Sequence, residues 1–272
     1  MRPPSGVARE LGIDLHQFAN GSGKESARLA IVTDLPLMLN TFHDMAFVFE
    51  NDIDFAGRIA DPRYLSGEGD YMPVRPGRNQ WQSLLVPDLQ SVELPAFEAR
   101  GAGSKHLHFI LGDASMHAHT AEMPRGRYKK AHRHPAGYHV FCVTGRGYSL
   151  LWLEGQNMAD AVRMDWTPGC VYAPPDEYYH QHFNVADEPS RYLALGFGSV
   201  RHPVLDRYRR VYEMLGVNVE QGGDQIEHED EWPAVYDLFV RELQRAGSTL
   251  VMERPSYRAE GLAAAPFPHA RA

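Results

Sequence analysis

The sequence predicts an all-β sandwich or barrel with an N-terminal arm and C-terminal helices, on three observations. Between about residues 85 and 200, short runs recur, each bounded by Gly, Pro, Asp or Asn: KHLHFIL, SMHAHTAEM, GRYKKAHRH, YHVFCV, YSLLWL, CVYAP, YYHQHFN and RYLALGF. Many short strands with turn signals and no helical period between them argue for an antiparallel sandwich or barrel. The 24 glycines and 19 prolines among 272 residues exceed the roughly 12% of an average chain, as a turn-rich fold requires. After residue 201 the apolar period becomes helical.

Residues 1–84 read as an arm of poor periodicity, with Pro62 to Arg78 loop-like because glycines and prolines interrupt it. Such an arm wraps the main core or crosses to a second subunit. The strand-rich segment 85–200 follows. In 201–258, Val204, Leu205, Tyr208, Val211, Tyr212 and Leu215 share one helical face between Pro203 and Gly216. A second helix starts at Pro233, carries Val235, Leu238, Phe239 and Leu243 as its stripe, and closes at Gly247. The Ala/Pro-rich end, 259–272, is expected to fray.

A net charge of −8, with no basic run longer than two residues, argues against nucleic acid and anionic membranes as partners. Cys142 and Cys170 are too few for a disulfide framework, which fits a reducing compartment. With no secretory apolar stretch and no spanning run, the expectation is a cytoplasmic protein.

Histidine is unevenly spread. Nine of the fourteen fall between His106 and His182, and imidazole serves both metal ligation and proton transfer. His-x-His on a strand puts both rings on one face, but four such pairs occur (106/108, 117/119, 132/134, 180/182), so the pattern alone selects none of them.

The 132/134 pair has further context. Gly126, His132, His134, Tyr138 and Gly145 stand at the spacing G-x5-H-x-H-x3-E-x6-G. Gly169, Pro175, Glu177, His180 and Asn184 stand at G-x5-P-x-G-x2-H-x3-N. Each motif is matched at four of five defined positions, and together they resemble the two cupin motifs. The resemblance implies a double-stranded β-helix, a jelly-roll barrel, with a divalent metal in its mouth held by His132, His134 and His180. Tyr138 occupies the place where many cupins have a ligating Glu. A site lacking that carboxylate leaves more charge and an open position on the metal, and is similar to gentisate and related ring-cleaving dioxygenases. The resemblance therefore implies Fe(II), dioxygen and a small oxygenated aromatic or enolisable substrate. A second class keeps the metal (Zn, Mn or Ni) as a Lewis acid for isomerisation, decarboxylation or elimination. A third is a non-enzymatic ligand-binding barrel. A homodimer or higher homo-oligomer is the implied assembly.

The vacancy left by the Glu has two candidates, Tyr138 as a substrate-contacting residue and His139 as a fourth ligand if a bulge shifts its strand. If His132 and His134 point inward, parity also turns Lys130 and Tyr128 inward and Lys129 and Arg133 outward. Lys130 then meets an internal carboxylate or an anionic substrate. His182 lies inward beside His180 as an acid–base candidate. His117 and His119 are candidates for the same cavity, and His106 and His108 for an outer sheet. Glu177, in place of the motif glycine, marks a turn of uncertain backbone.

Overall fold

A computed structural model describes residues 20, 22–50, 66–75, 78–83, 85–111, 116–134, 138–197 and 216–258. The helix expected over 204–215 and the tail 259–272 lie outside the described residues. Two sheets form the body. The first has the order β1(Gly69–Arg75), β2(Arg78–Ser83), β3(Lys105–Leu111), β4(Met116–Met123), β11(Ser190–Phe197), β6(His139–Thr144), β9(Val171–Tyr172). The second runs β12(Gln225–Ile226), β5(Ala131–His132), β10(Tyr179–Asn184), β7(Gly147–Trp152), β8(Val162–Trp166). From β4 onward the chain passes repeatedly between the sheets, and the pairings are antiparallel except β2 with β3. This is an all-β jelly-roll barrel, the fold expected above.

Side-chain alternation sorts each strand into an inner and an outer face. On β7 and β10, Tyr148, Leu150, Trp152, Tyr179 and Phe183 point outward. They form one core with Val235, Tyr236, Phe239 and Leu243 of the helix α3(Pro233–Ala246). That helix begins with proline and ends at Gly247, whose φ of 69° suits a residue without a Cβ. On the first sheet, Leu107, Phe109 and Ala118 point outward under Leu94, while Ala121, Met123, Val140, Cys142, Tyr192 and Ala194 line the interior. The motif glycines are turn residues: Gly145 has φ of 78°, and a Cβ there would lie 1.9 Å from Ser190 Oγ. Glu177 adopts the same left-handed region, with φ of 64°, so this turn keeps the glycine-like backbone with a glutamate in it.

Several elements depart from expectation. The loop-like segment ends in the β1–β2 hairpin, which joins the barrel sheet through parallel pairing of β2 with β3. Two short helices, α1(Leu35–Phe42) and α2(Met45–Phe49), lie within the arm. β8 alternates apolar and charged residues as a strand should, VRMDW, and was passed over although that period was present; it is an edge strand with only Trp166 buried.

At the first sheet's surface, Glu122 accepts from Arg191 Nε at 2.7 Å and pairs with Lys105 Nζ at 2.8 Å. Burial opposes its ionisation, but the two cations outweigh burial and hold the carboxyl below its usual 4.5. A depressed folded pKa contributes stability above the unfolded value and loses it as pH falls through the folded one. Glu122→Gln is therefore expected to lower the thermal midpoint at pH 7. The gap from wild type should narrow progressively below about pH 4.5, as read from melts across pH.

Candidate functional site

His132 on β5 and His180 on β10 are Cα partners across the second sheet, and His134 follows two residues on. The three rings have centroids 4.3, 4.7 and 5.7 Å apart. One ligand nitrogen from each lies within 4.8 Å of the others. The two buried rings are oriented alike. His132 Nδ1 lies 3.3 Å from the carbonyl of Lys130, and His180 Nδ1 lies 3.2 Å from that of Tyr178. A carbonyl only accepts, so both Nδ1 atoms carry the proton and both Nε2 lone pairs remain for an ion. Burial, reinforced by neighbouring positive groups, pushes both pKa values well below the ordinary imidazole value. The rings are thus neutral, as ligation requires. Three neutral nitrogen donors at this spacing fit a late first-row divalent ion, with further coordination positions left open.

Tyr138 is buried beside this group, its ring 4.5 Å from that of His134 and its hydroxyl 2.6 Å from His117 Nε2. Gly196 of β11 makes room for it, since a Cβ there would come within 2.9 Å of the ring. His139, expected as a tentative fourth ligand, is exposed at the start of β6. The alternation that brings Val140 inward turns His139 outward, and it lies outside the converging group.

His182 lies inward as parity predicted, 5.4 Å from His180 between ring centroids. Its Nδ1 meets Ser149 Oγ at 2.8 Å and the Tyr172 hydroxyl at 3.1 Å. Burial, with the Lys129 charge nearby, brings its pKa down to about 3. Its Nδ1 is thus held by two hydroxyls.

The two lysines exchange the places parity gave them. Lys130 forms an ion pair with Glu227, while Lys129 is 2% exposed, with Nζ 3.2 Å from the Tyr192 hydroxyl. The pairing explains the exchange. Tyr128 bridges Phe183, yet His132 pairs with His180, so one extra residue is inserted on the Tyr128 side. A bulge of this kind resets the alternation: Tyr128 and Ala131 both reach the outer core, and Lys129 is left facing in. Burial, with the Arg100 guanidinium close by, lowers the Lys129 ammonium to about 7. Arg100 itself is buried and donates from Nη1 to Gln225 Oε1 at 3.0 Å. Lys129, Tyr192 and Arg100 were missed because only the register between strands reveals them.

The histidines set apart as belonging to an outer sheet also face in. His108 of β3 pairs directly with His119 of β4, on the faces opposite the outward Leu107, Phe109 and Ala118. Asn184, the last motif residue, has a structural role. Its amide donates to the carbonyl oxygens of Met123, Pro124 and Glu188, and its Oδ1 accepts from Ala186 N and Ser190 Oγ.

No protein-family model matches the chain. No curated protein sequence matches it either. Among solved structures it is similar to a mutant oxalate decarboxylase of Bacillus subtilis, at 17% identity over 40% of this chain and 29% of that one, TM-score 0.34. It is similar to CapF at 14% identity over 41% and 32%, TM-score 0.34. The DMSP lyase DddQ of Ruegeria pomeroyi DSS-3 aligns at 26% identity over 34% and 45%, TM-score 0.26. The alignments thus span less than half of each of these proteins. Overlaps this partial carry no functional argument, and the fold rests on the strand order described above. Among the described residues, no helix is long and apolar enough to cross a membrane.

Proposed function

We propose that the chain is a metal-dependent enzyme of the cupin type, acting on a small anionic substrate by acid–base chemistry in the barrel. The observation that carries this reading is the convergence of His132, His134 and His180, together with a buried lysine poised near neutrality whose charge is felt at His182. A bound divalent ion, such as Zn, Mn or Ni, supplies Lewis-acid polarisation of a substrate oxygen. The remaining work belongs to the chain. Arg100 supplies positive charge toward the His132 group and attracts a carboxylate. Lys129, uncharged above about pH 7, takes a proton at Nζ, with the Tyr192 hydroxyl as its hydrogen-bond partner. Tyr138, whose ring lies against that of His134, contacts the substrate, and the His182 ring is held by Ser149 and Tyr172.

Lys129→Met is expected to lower kcat by about 10²–10⁴-fold while metal content stays at the wild-type level. Because the neutral amine is the active form, wild-type kcat/KM rises with pH through an inflection near 7, which the variant lacks. An unchanged profile in the variant removes Lys129 from the proposal.

A second reading is favoured by the donor set itself. Three neutral imidazoles without a carboxylate leave positions open for a bidentate aromatic substrate and dioxygen on Fe(II). Metal analysis of protein purified without air, followed by oxygen uptake with gentisate, catechol and salicylate, separates the two. Iron with substrate-dependent uptake selects the dioxygenase, and zinc or manganese without uptake selects the acid–base enzyme.

A further inference from the structure

We propose that the barrel holds a second metal site, on the opposite wall, formed by His106, His108 and His119. His106 and His108 stand two apart on β3, so their rings share a face. His119 on β4 is the direct cross-strand partner of His108. The three centroids form a compact triangle with sides of 4.5, 4.8 and 5.0 Å. One nitrogen from each ring lies within 4.8 Å of the others, the same closeness as in the His132 group. A tetrahedral ion at about 2.0–2.1 Å from each nitrogen needs them roughly 3.4 Å apart, which small side-chain rotations supply without moving the strands.

The chemistry of the donors selects the ligand. Three imidazoles with no oxygen donor among them favour zinc, copper, nickel or cobalt over calcium or magnesium. His106 and His119 are half-buried while His108 is buried, so an ion has a route in and a fourth position for water. The two sites are neighbours through one side chain. Tyr138 has its ring 4.5 Å from His134 and 5.3 Å from His119, and its hydroxyl bonds His117. It stands as a wall between the two ions, and each ion adds to the field felt by that phenol.

This site does not depend on the activity assigned to the His132 group, and counting ions tests it directly. The full-length chain is stripped with chelator, reloaded with zinc or cobalt(II), desalted and analysed for bound metal. Wild type is expected to retain two ions per chain, and His119→Gln and His132→Ala one each. The cobalt d–d spectra of the two single variants should sum to that of wild type. His106→Gln, at a half-buried position, gives the same count if the His119 variant misfolds by circular dichroism. Wild type holding a single ion that His119→Gln and His106→Gln both retain overturns the second site and leaves the first standing. An ion lost on replacing His119 but kept on replacing His132 supports the second site and overturns the first.

Discussion

Replacing His132 with alanine is expected to abolish binding of the ion proposed for the His132, His134 and His180 group, and with it the proposed activity. His132 sits at the crossing of β5 with both β10 and β12, with its proton fixed on the Lys130 carbonyl side. His182 does not replace it, since that ring lies outside the converging group, 6.1 Å from His132 between centroids. Changes to groups that merely orient a metal ligand cost about 10–100-fold in affinity, and loss of a ligand from a set of three exceeds that. Equilibrium dialysis with zinc or manganese measures the affinity, and circular dichroism confirms that the barrel survives. Affinity unchanged in this variant would falsify the assignment of the site.

The second large effect is on stability. Phe239 of α3 is fully buried, its ring 4.9 Å from that of Tyr128 and 6.0 Å from that of Phe183. It plugs the outer face of the sheet whose inner face carries His180 and His182. Truncation to alanine removes its buried area and leaves a cavity that one sheet and a helix can close only in part, costing about 3–5 kcal/mol. Urea unfolding monitored by tryptophan fluorescence reads it, as a lower midpoint with an unchanged slope. A cost below about 1 kcal/mol would show that α3 is not seated on the barrel as described.

The three histidines of the first group were legible because their spacing is dictated by the strands that carry them. Inward residues recur at every second position, and turn glycines such as Gly145 stand where the backbone has positive φ. Helix α3 was legible for the equivalent reason at a period of 3.6, with a proline and a glycine marking its ends. What failed was anything that depends on register between distant segments. Parity was carried backward from His132 through a bulge that leaves no trace in the local sequence, so Lys130 was named in place of Lys129. His106 and His108 looked like outer-sheet residues because alternation gives two faces without saying which one is inside. The edge hairpin was hidden by the Gly69 and Pro73 within its own first strand.

The β12 pairing has a consequence for how far the two-motif segment can stand alone. Gln225 lies opposite His132 and also accepts from Arg100. Glu227 holds Lys130, and Glu231 receives both the Tyr128 hydroxyl and the Gln181 amide. The segment of β5 that carries His132, with His134 two residues on, is thus laced on its outer margin by residues from far beyond the motifs. Excising the segment, or grafting its ten motif positions onto another scaffold, would carry the ligands across and leave behind the selvedge that keeps them in line.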